Sequence, residues 1–363
     1  MTVLGTRPEI IRLSALIGRL DEACDHRLVW TGQNHDPALA GDVFRDLGVR
    51  APDHRLDMPV GAPLGARVGA VLAGVDALLV GERPDRLVVL GDTDSALGAI
   101  VGKRRGVGVA HLEAGNRCFD DRVPEEVNRR IIDHASDLLL PYTGRSREHL
   151  LAEGVPTRRI TVMGNPILEV IERTAQAEAA SVVRDRMGLA AGGYALATAH
   201  RQENVDDPER LARIAAALDA VAGDLGMPVV LSVHPRTAAR LGEAGLAIDG
   251  DRVIAGPPFG FPDFLALERA ARVVITDSGT VQEEACLFGV PAVTIRDTTE
   301  RPETVECGSN LVCGVEPEAV RAAVRTQLGR APWAPPAEYL VRDASATALG
   351  AIVSPAGTGA WER

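Results

Sequence analysis

The sequence predicts an α/β protein with two doubly wound, Rossmann-like domains that face a cleft. Short apolar runs without alternation, such as residues 86–90, are separated by longer helical patterns, such as residues 64–81. Runs of this kind are typical of parallel strands that helices cover on both faces. The pattern occurs in two successive series along 363 residues, a length sufficient for two domains of ordinary size.

The predicted strands fall into two groups. In the first domain they are residues 2–4, 27–30, 86–90, 107–110 and 137–140, and in the second they are residues 194–197, 229–232, 252–254, 273–275 and 292–294. A polar stretch at 169–186 separates the groups, which gives domains at 1–168 and 187–337. We expect a helix at 338–352 that crosses back to the first domain, and a flexible tail at 353–363 that is rich in Gly, Pro and Ala.

Composition and charge argue against several classes of partner. The chain carries 50 acidic and 39 basic side chains, and its net charge of −11 disfavours nucleic acid and anionic membranes as partners. The five cysteines are scattered, without the spacing of a metal site. No apolar run reaches ~18 residues and the first strand begins at once, so we expect no membrane span and no signal peptide. These observations predict a cytoplasmic protein with reduced thiols.

The segment after the strand at 273–275 has the pattern of a phosphate site. It contains Asp277, Ser278 and Gly279 and opens a helix, and a strand that ends in Ser-Gly at a helix N-terminus presents backbone N–H groups to an anion. Glu283 and Glu284 lie one turn inside that helix, where a carboxylate can bind two ribose hydroxyls. A diphosphate beside a ribose indicates a nucleotide. The alternative is an ordinary strand–turn–helix corner with two solvated acids.

Polar clusters also follow predicted strands of the first domain. Arg7, within Gly-Thr-Arg-Pro-Glu at 5–9, can bind a diphosphate, or the segment can be a helix entry with proline in its first turn. The Gly-x-Gly-x-x-Gly spacing is missing there, which argues against a tightly bound nicotinamide. Asp92 directly follows a glycine at a strand end and is a candidate acid–base group, whereas Asp94 suits a helix-capping role.

Four further residues are candidates for chemistry. Glu113 stands at the end of an apolar strand, where helix capping does not explain a carboxylate. Glu125 and Arg129 are four residues apart and share a helix face, either as functional groups or as a surface pair. In the second domain, His200 follows a strand and can hold a phosphate or be a satisfied loop histidine.

Together these motifs resemble those of the non-hydrolysing UDP-N-acetylglucosamine 2-epimerases, from Gly5 to about Val315. The matching segments are residues 5–9, 31–33, 91–93, 113–115, 124–126, 128–129, 164–165, 200–201, 277–279, 282–284 and 296–303. Each segment is short, but their order and number argue against chance. The resemblance implies the two-domain architecture of glycosyltransferase B enzymes, a UDP-sugar substrate and a homodimer.

The resemblance also implies roles for individual residues. The catalytic candidates are Asp92, Glu113, Glu125 and His200. The candidates for UDP binding are Arg7, Ser278, Gly279 and Thr280 at the phosphates, Glu284 at the ribose and Phe264 at the uracil. The candidates for sugar contacts or structural support are Arg12, Gln33, Arg129, Asn165 and Arg301.

The sequence departs from the usual family pattern at three places. Arg12 stands where lysine is usual, which keeps the positive charge but replaces a compact ammonium group with a planar guanidinium group. Thr280 stands where a second glycine is usual, so the backbone can approach a phosphate differently. Asn34 and His35 replace the single histidine that usually follows Gln33, in a region where the family can bind an allosteric UDP-GlcNAc.

The motifs give mixed indications of the sugar. Residues 113–120 and 122–126 look like a branch that acts on UDP-linked 6-deoxy-N-acetyl-L-sugars, whereas residues 297–302 look like the N-acetylglucosamine branch. We expect conversion of UDP-GlcNAc to UDP-ManNAc by loss and return of UDP through a 2-acetamidoglucal, without a metal or redox cofactor. C2 epimerisation of a UDP-6-deoxy-N-acetyl-L-hexosamine is the alternative. The rivals from other classes are a glycosyltransferase of the same architecture and an inactive nucleotide-sugar sensor.

Overall fold

The computed structural model describes residues 1–33, 37–59, 61–233, 235–246 and 250–354. The chain forms two compact units, one comprising Met1–Val170 with the segment from Leu340 onward, and the other comprising Ile171–Tyr339. Each unit is built on a six-stranded sheet in which every recorded strand pair is parallel. The two sheets confirm the prediction of two doubly wound α/β domains.

The first unit contains a sheet with the strand order β3-β2-β1-β4-β5-β6. Its strands are β1 Thr2–Leu4, β2 Leu28–Trp30, β3 His54–Arg55, β4 Arg86–Leu90, β5 Gly108–Leu112 and β6 Leu138–Leu140. Its helices are α1 Arg7–Ala23, α2 Pro37–Asp46, α3 Leu64–Glu82, α4 Ala99–Arg104, α5 Pro124–Ala135 and α6 Gly144–Ala152, with single 3₁₀ turns at Asp94–Gly98 and Thr157–Arg159. The central strands are buried because helices pack on both faces of the sheet.

Helix α3 is a long apolar helix of this unit. Val71, Val75 and Leu79 recur every four residues and are buried in the core. By length and mean hydropathy (1.6) it is also long and apolar enough to cross a membrane, which the sequence analysis did not anticipate. In the structure its Arg67 pairs with Asp94 at 3.2 Å, and its three buried residues hold it against the neighbouring elements of the unit.

The second unit repeats the scheme with the strand order β12-β11-β10-β7-β8-β9. Its strands are β7 Ala195–Ala199, β8 Val229–Val233, β9 Val253–Gly256, β10 Val273–Thr276, β11 Ala292–Thr294 and β12 Asn310–Val312. Helix α7 Ile167–Ala179 passes from the first unit into the second. The helices that follow are α8 Val183–Met187, α9 Gln202–Val205, α10 Pro208–Leu225, α11 Pro235–Glu243, α12 Phe261–Arg269, α13 Gly279–Phe288, α14 Pro302–Glu306 and α15 Pro317–Leu328.

The last helix, α16 Ala344–Val353, belongs to the first unit and follows a 3₁₀ turn at Ala337–Leu340. Ser345 joins it to two other helices. Its hydroxyl accepts a hydrogen bond from Arg19 Nε at 2.7 Å and donates one to Glu169 at 2.5 Å, while its backbone N–H donates to the same carboxylate. Residues 355–363 of the expected tail lie outside the described residues.

Each sheet has one point at which the direction of strand addition reverses. In the first unit this switch point lies between β1 and β4, and in the second it lies between β7 and β10. Ligands of open parallel sheets bind beyond the carboxyl ends of the strands at such points. The sequence motifs around Arg7, Asp92, His200 and Ser278 directly follow these four strands.

Candidate active site

A buried glutamate joins the two loops at the switch point of the first unit. Glu9, 1% exposed, accepts hydrogen bonds from Gly5 N at 3.0 Å, Thr6 Oγ1 at 2.8 Å and Thr93 Oγ1 at 3.1 Å. It therefore ties the loop after β1 to the loop after β4. Burial raises the pKa of Glu9 to about 7, although these hydrogen bonds oppose the rise. The sequence analysis quoted this residue within a motif but assigned it no role.

Gln33 and Thr31, which directly follow β2, contact the loops after β1 and β4. Gln33 Oε1 accepts hydrogen bonds from the backbone N–H and the hydroxyl of Ser95, at 3.2 and 3.0 Å. The Ser95 and Thr31 hydroxyls are 2.7 Å apart. A Cβ on Gly5 would lie only 2.0 Å from Thr31 Oγ1 and 2.2 Å from Ser95 Oγ, so only glycine fits there. Gln33 thus supports the loop that carries Asp92.

Asp92 is held by a buried arginine. The Asp92 carboxylate receives hydrogen bonds from Arg129 Nε at 3.1 Å and from a second guanidinium nitrogen, while Asn128 Nδ2 donates to its backbone oxygen at 2.9 Å. Arg129 is 2% exposed and also donates to Glu126 at 2.6 Å. The interpretation of Arg129 as part of a surface pair is therefore wrong. Glu125, in the first turn of α5, is half-buried.

Glu113 lies against the loop that carries Asp92. It directly follows β5 with φ = +66°, a region that non-glycine residues seldom adopt and that is enriched at functional sites. Its carboxylate accepts a hydrogen bond from Asn116 Nδ2 at 3.0 Å and lies 3.9 Å from Arg12 Nε. A Cβ on Gly91 would be 3.6 Å from Glu113 Oε2. The carboxylates of residues 92 and 113 thus stand at adjoining loops of one unit.

A second buried acid, which the sequence analysis missed, positions both loops. Asp133 is 1% exposed and accepts hydrogen bonds from His111 Nδ1 at 2.8 Å, Gly115 N at 3.2 Å and Arg117 at 2.8 Å. His111 Nε2 in turn donates to the Gly91 carbonyl at 2.8 Å. Burial alone would raise the pKa of Asp133, but the hydrogen bond from His111 and the charge of Arg117 outweigh burial and lower it. Asp133 thus fixes the backbone beside both candidate carboxylates.

The remaining candidates of the first unit, Arg7, Arg12 and Asn165, differ in burial and in contacts. Arg7 is the first residue of α1 and is half-buried. Arg12 is buried, with its guanidinium 5.4 Å from the centre of the Tyr142 ring. Asn165 is fully buried and accepts a hydrogen bond from Ile167 N at 3.0 Å, whereas its Nδ2 has no partner among the described residues.

In the second unit, Asp277 organises the loop that carries His200. The buried Asp277 carboxylate accepts hydrogen bonds from the backbone N–H groups of His200 and Arg201, both at 2.9 Å, and from Asn204 Nδ2 at 3.1 Å. It also lies 3.1 Å from His200 Nδ1, which orients the imidazole. Burial opposes ionisation of Asp277, but these partners together lower its pKa. His200 keeps 38% of its side chain exposed.

Helix α13 begins directly after Asp277. Ser278 occupies its N-cap position without capping the helix through its side chain, so the hydroxyl is not committed to the first turn. Gly279 is buried and Thr280 is half-buried. This end of the helix carries the positive end of its dipole, as the phosphate interpretation requires.

The acidic pair of α13 is buried rather than solvated. Glu283 is 1% exposed and pairs with Arg301 Nε at 2.5 Å, and Glu284 is 2% exposed. The alternative of two solvated acids is therefore wrong. Arg301, expected as a sugar contact or support, has a structural partner within its own unit.

An apolar core and a cavity lie near the start of α12. Phe264 is 8% exposed and packs in a core cluster with Tyr194 and Leu267. A cavity of about 430 Å³ in the same unit is lined by residues 256–260 together with Arg186, Met187 and Asp263. Phe264 is not among these lining residues.

The described residues contain no cluster of three or more His, Cys, Asp or Glu side chains that could hold a metal ion. All of the cysteines are free thiols. The departure at Asn34 and His35 lies outside the described residues.

Comparison with known proteins identifies the family. The family model of UDP-N-acetylglucosamine 2-epimerases matches residues 19–352. The chain belongs to this family. A UDP-N-acetylglucosamine 2-epimerase of Methanocaldococcus jannaschii is 38% identical over 90% of this chain and 92% of its own length. A crystal structure of Methanocaldococcus jannaschii UDP-GlcNAc 2-epimerase in complex with UDP-GlcNAc and UDP is 36% identical to this chain, with a TM-score of 0.91 and coverage of 96% of this chain and 97% of its own.

A second relative is named for a different substrate. The UDP-2,3-diacetamido-2,3-dideoxy-D-glucuronate 2-epimerase of Pseudomonas aeruginosa is 36% identical over 91% of this chain and 92% of its own length. Family membership confirms the resemblance drawn from the motifs and makes this protein an epimerase. Because similar identities are found with epimerases of two different UDP-sugars, identity alone does not select the sugar.

Proposed function

We propose that this family member is a non-hydrolysing epimerase that inverts C2 of a UDP-N-acetylhexosamine, with UDP-GlcNAc and UDP-ManNAc as its substrate pair. The observation that carries the proposal is the placement of Asp92 and Glu113 at adjoining loops of the first unit. Two carboxylates held by fixed partners suit a reaction that removes a proton from one face of a carbon and returns one to the other.

The reaction must overcome a weakly acidic C–H bond. The C2 proton of a hexosamine is not adjacent to a carbonyl, so direct deprotonation is costly. When UDP leaves C1 with the C1–O electron pair, C1 becomes oxocarbenium-like and the C2–H bond becomes acidic. A carboxylate then takes the C2 proton, and the electrons of that bond form the C1=C2 double bond of a 2-acetamidoglucal. Return of UDP to C1 and of a proton to the opposite face of C2 completes the inversion.

We assign the proton transfers to the first unit, with Asp92, Glu113 and Glu125 as the acid–base groups. Arg129 orients Asp92, and Asn116 orients Glu113. We assign UDP to the second unit and to the start of α1. Stabilisation of the leaving diphosphate by fixed cations and N–H groups is an electrostatic contribution to catalysis. The groups for this role are Arg7, His200, Ser278, Gly279 and Thr280, with Glu284 at the ribose and Phe264 beside the uracil.

We propose no metal or redox cofactor, because the reaction involves no net oxidation and because positive side chains and a helix dipole are available for the diphosphate. We further propose a cytoplasmic homodimer, as the family resemblance implies. Light scattering of the purified protein tests the assembly, with twice the 38.4 kDa chain mass as the expected result and the single-chain mass as the contradicting one.

The test of the function is proton NMR of purified protein with UDP-GlcNAc in D₂O. The expected product is UDP-ManNAc with deuterium at C2, formed without any acceptor sugar. Release of free N-acetylmannosamine and UDP would instead indicate a hydrolysing enzyme. Product formation only on addition of an acceptor would indicate a glycosyltransferase.

Two alternative sugars have an observation in their favour. Asn116, part of the segment that resembles the 6-deoxy-L-sugar branch, contacts the proposed catalytic Glu113. The Pseudomonas aeruginosa relative supports a 2,3-diacetamido uronate. The same experiment with a UDP-6-deoxy-N-acetyl-L-hexosamine and with UDP-2,3-diacetamido-2,3-dideoxy-D-glucuronate compares the three. We expect the highest kcat/KM with UDP-GlcNAc, and a higher value with either other sugar would reassign the substrate.

A further inference from the structure

A pair of buried glutamates connects α12 with the nucleotide-binding helix α13. Glu268, near the end of α12, is fully buried, and Glu284 on α13 is 2% exposed. The two carboxyl groups face each other at hydrogen-bonding distance. Neither oxygen of Glu268 receives a hydrogen bond from any donor group in the described part of the chain. The only polar partner that Glu268 has there is thus another carboxyl group.

This arrangement determines which form of Glu268 is stable. Two ionised carboxylates that are buried against each other repel strongly, and neither has water to solvate it. Glu178 adds a further negative charge, while the positive Arg269 is already engaged with Glu178 at 2.5 and 3.0 Å and lies over the Phe288 ring. Burial and the charge of Glu284 raise the pKa of Glu268 well above its usual range. The arrangement therefore favours the neutral, protonated form of Glu268.

We propose that Glu268 is a positioning residue for nucleotide binding, which donates a hydrogen bond from its neutral carboxyl group to the Glu284 carboxylate and so holds Glu284 for the ribose hydroxyls. This inference rests on the proposed assignment of Glu284 to the ribose. A hydrogen bond to an ionised acceptor is among the stronger ones in proteins. Without that donor, the charge of the buried Glu284 would be less well compensated, and its carboxylate would bind hydroxyl groups less well.

The sequence contains a signal for this role. Phe261, Phe264, Leu265 and Glu268 recur with helical spacing on the buried face of α12. An acid at the fourth of these apolar positions is unusual, because a glutamate is almost never fully buried without a partner. The partner lies on the next helix, and sequence spacing alone does not reveal it.

The test compares UDP with 2′,3′-dideoxy-UDP, which lacks both ribose hydroxyls, by calorimetric titration of wild type, Glu268→Gln and Glu268→Met. We expect wild type to prefer UDP. Glu268→Gln should keep this preference within about twofold, because its neutral amide also donates to Glu284. Glu268→Met should bind UDP about tenfold more weakly or worse, with its affinity for the dideoxy nucleotide unchanged, since only a hydrogen bond to a charged group is lost. In turnover, KM should rise and kcat should stay the same.

Three outcomes would overturn the inference: a methionine variant that keeps the wild-type preference, one that loses affinity for both nucleotides equally, or a glutamine variant that behaves like methionine. Infrared difference spectroscopy between wild type and Glu268→Gln adds a measurement that needs no nucleotide. The difference spectrum should show the C=O stretch of an un-ionised carboxylic acid at neutral pH. Absence of this band would contradict a protonated Glu268. If wild type binds no UDP, the proposed function itself fails, and the infrared result still decides the state of Glu268.

Discussion

The buried carboxyl group of Glu9 should make the first unit lose stability as the pH rises. Its pKa moves from an ordinary 4.5 to about 7 in the folded protein. A folded-state pKa that lies above the unfolded value stabilises the protein fully below the unfolded pKa, and this stability is lost as the pH rises through the folded pKa. Protonation of Glu9 contributes about 3 kcal/mol in all to the free energy of unfolding, of which about 2.5 kcal/mol is lost between about pH 5 and about pH 8.

The test is the difference in unfolding free energy between wild type and Glu9→Gln across this pH range. The amide is uncharged at every pH, so it removes the linkage and keeps an acceptor for the three donors around residue 9. Urea unfolding can be followed by the fluorescence of Trp30, which is buried in β2 beside Phe44. Replacing Trp333 and Trp361 with phenylalanine in both proteins limits the signal to the first unit.

We expect the stability of wild type relative to the glutamine variant to fall by about 2.5 kcal/mol from about pH 5 to about pH 8. Glu22→Gln, on an exposed position of the same helix, is the matched control and should leave the wild-type pH dependence unchanged. A difference between wild type and Glu9→Gln that is constant across the range, or that grows with pH, would refute the reasoning about burial.

Two further predictions concern other buried groups. Asp133→Asn leaves a single acceptor oxygen for three donors, so turnover should fall by about tenfold or more while UDP affinity is retained. The control Asp76→Asn, in an exposed ion pair, should change neither turnover nor UDP affinity. Equal effects of the two substitutions on turnover would contradict the positioning role of Asp133. The Cys286 thiol, 3.7 Å away, lowers the pKa of Cys307, whereas burial raises the pKa of Cys313 to about 12. Iodoacetamide at neutral pH should therefore alkylate Cys307 before Cys313 by mass spectrometry, and the reverse order would contradict this interpretation.

The sequence predicted the sheets well because their central strands are continuous apolar runs. The residues of β4 and β10, for example, are apolar almost throughout and lie at the centre of their sheets, where both faces are covered. Strands β3 and β12 were missed, since they are short edge strands that lack such a run. The polar motifs also lay where strand ends require them, because the carboxyl ends of parallel strands meet at one edge of a sheet.

The partners of the candidate site residues were less predictable. Arg129 has the spacing of a surface pair, and only the packing of α5 shows that it is buried against Asp92. Asp133 stands on a helix whose charged residues look like ordinary solvated ones in the sequence, and Glu268 is recognisable as an unusual acid on an apolar helix face, but without its partner. Their roles depend on contacts with residues distant in sequence or on the next helix, and local patterns contain no information about such contacts.

The central claim is that Asp92 in the first unit transfers a proton and that Glu284 in the second unit binds UDP. It is tested most directly by measuring UDP affinity and deuterium incorporation at C2 of UDP-GlcNAc side by side for Asp92→Asn and Glu284→Gln. We expect Asp92→Asn to bind UDP like wild type but to lose exchange and turnover. We expect Glu284→Gln to lose UDP affinity and to retain exchange at saturating substrate. Wild-type exchange by Asp92→Asn, or unchanged UDP affinity in Glu284→Gln, would contradict this division of roles.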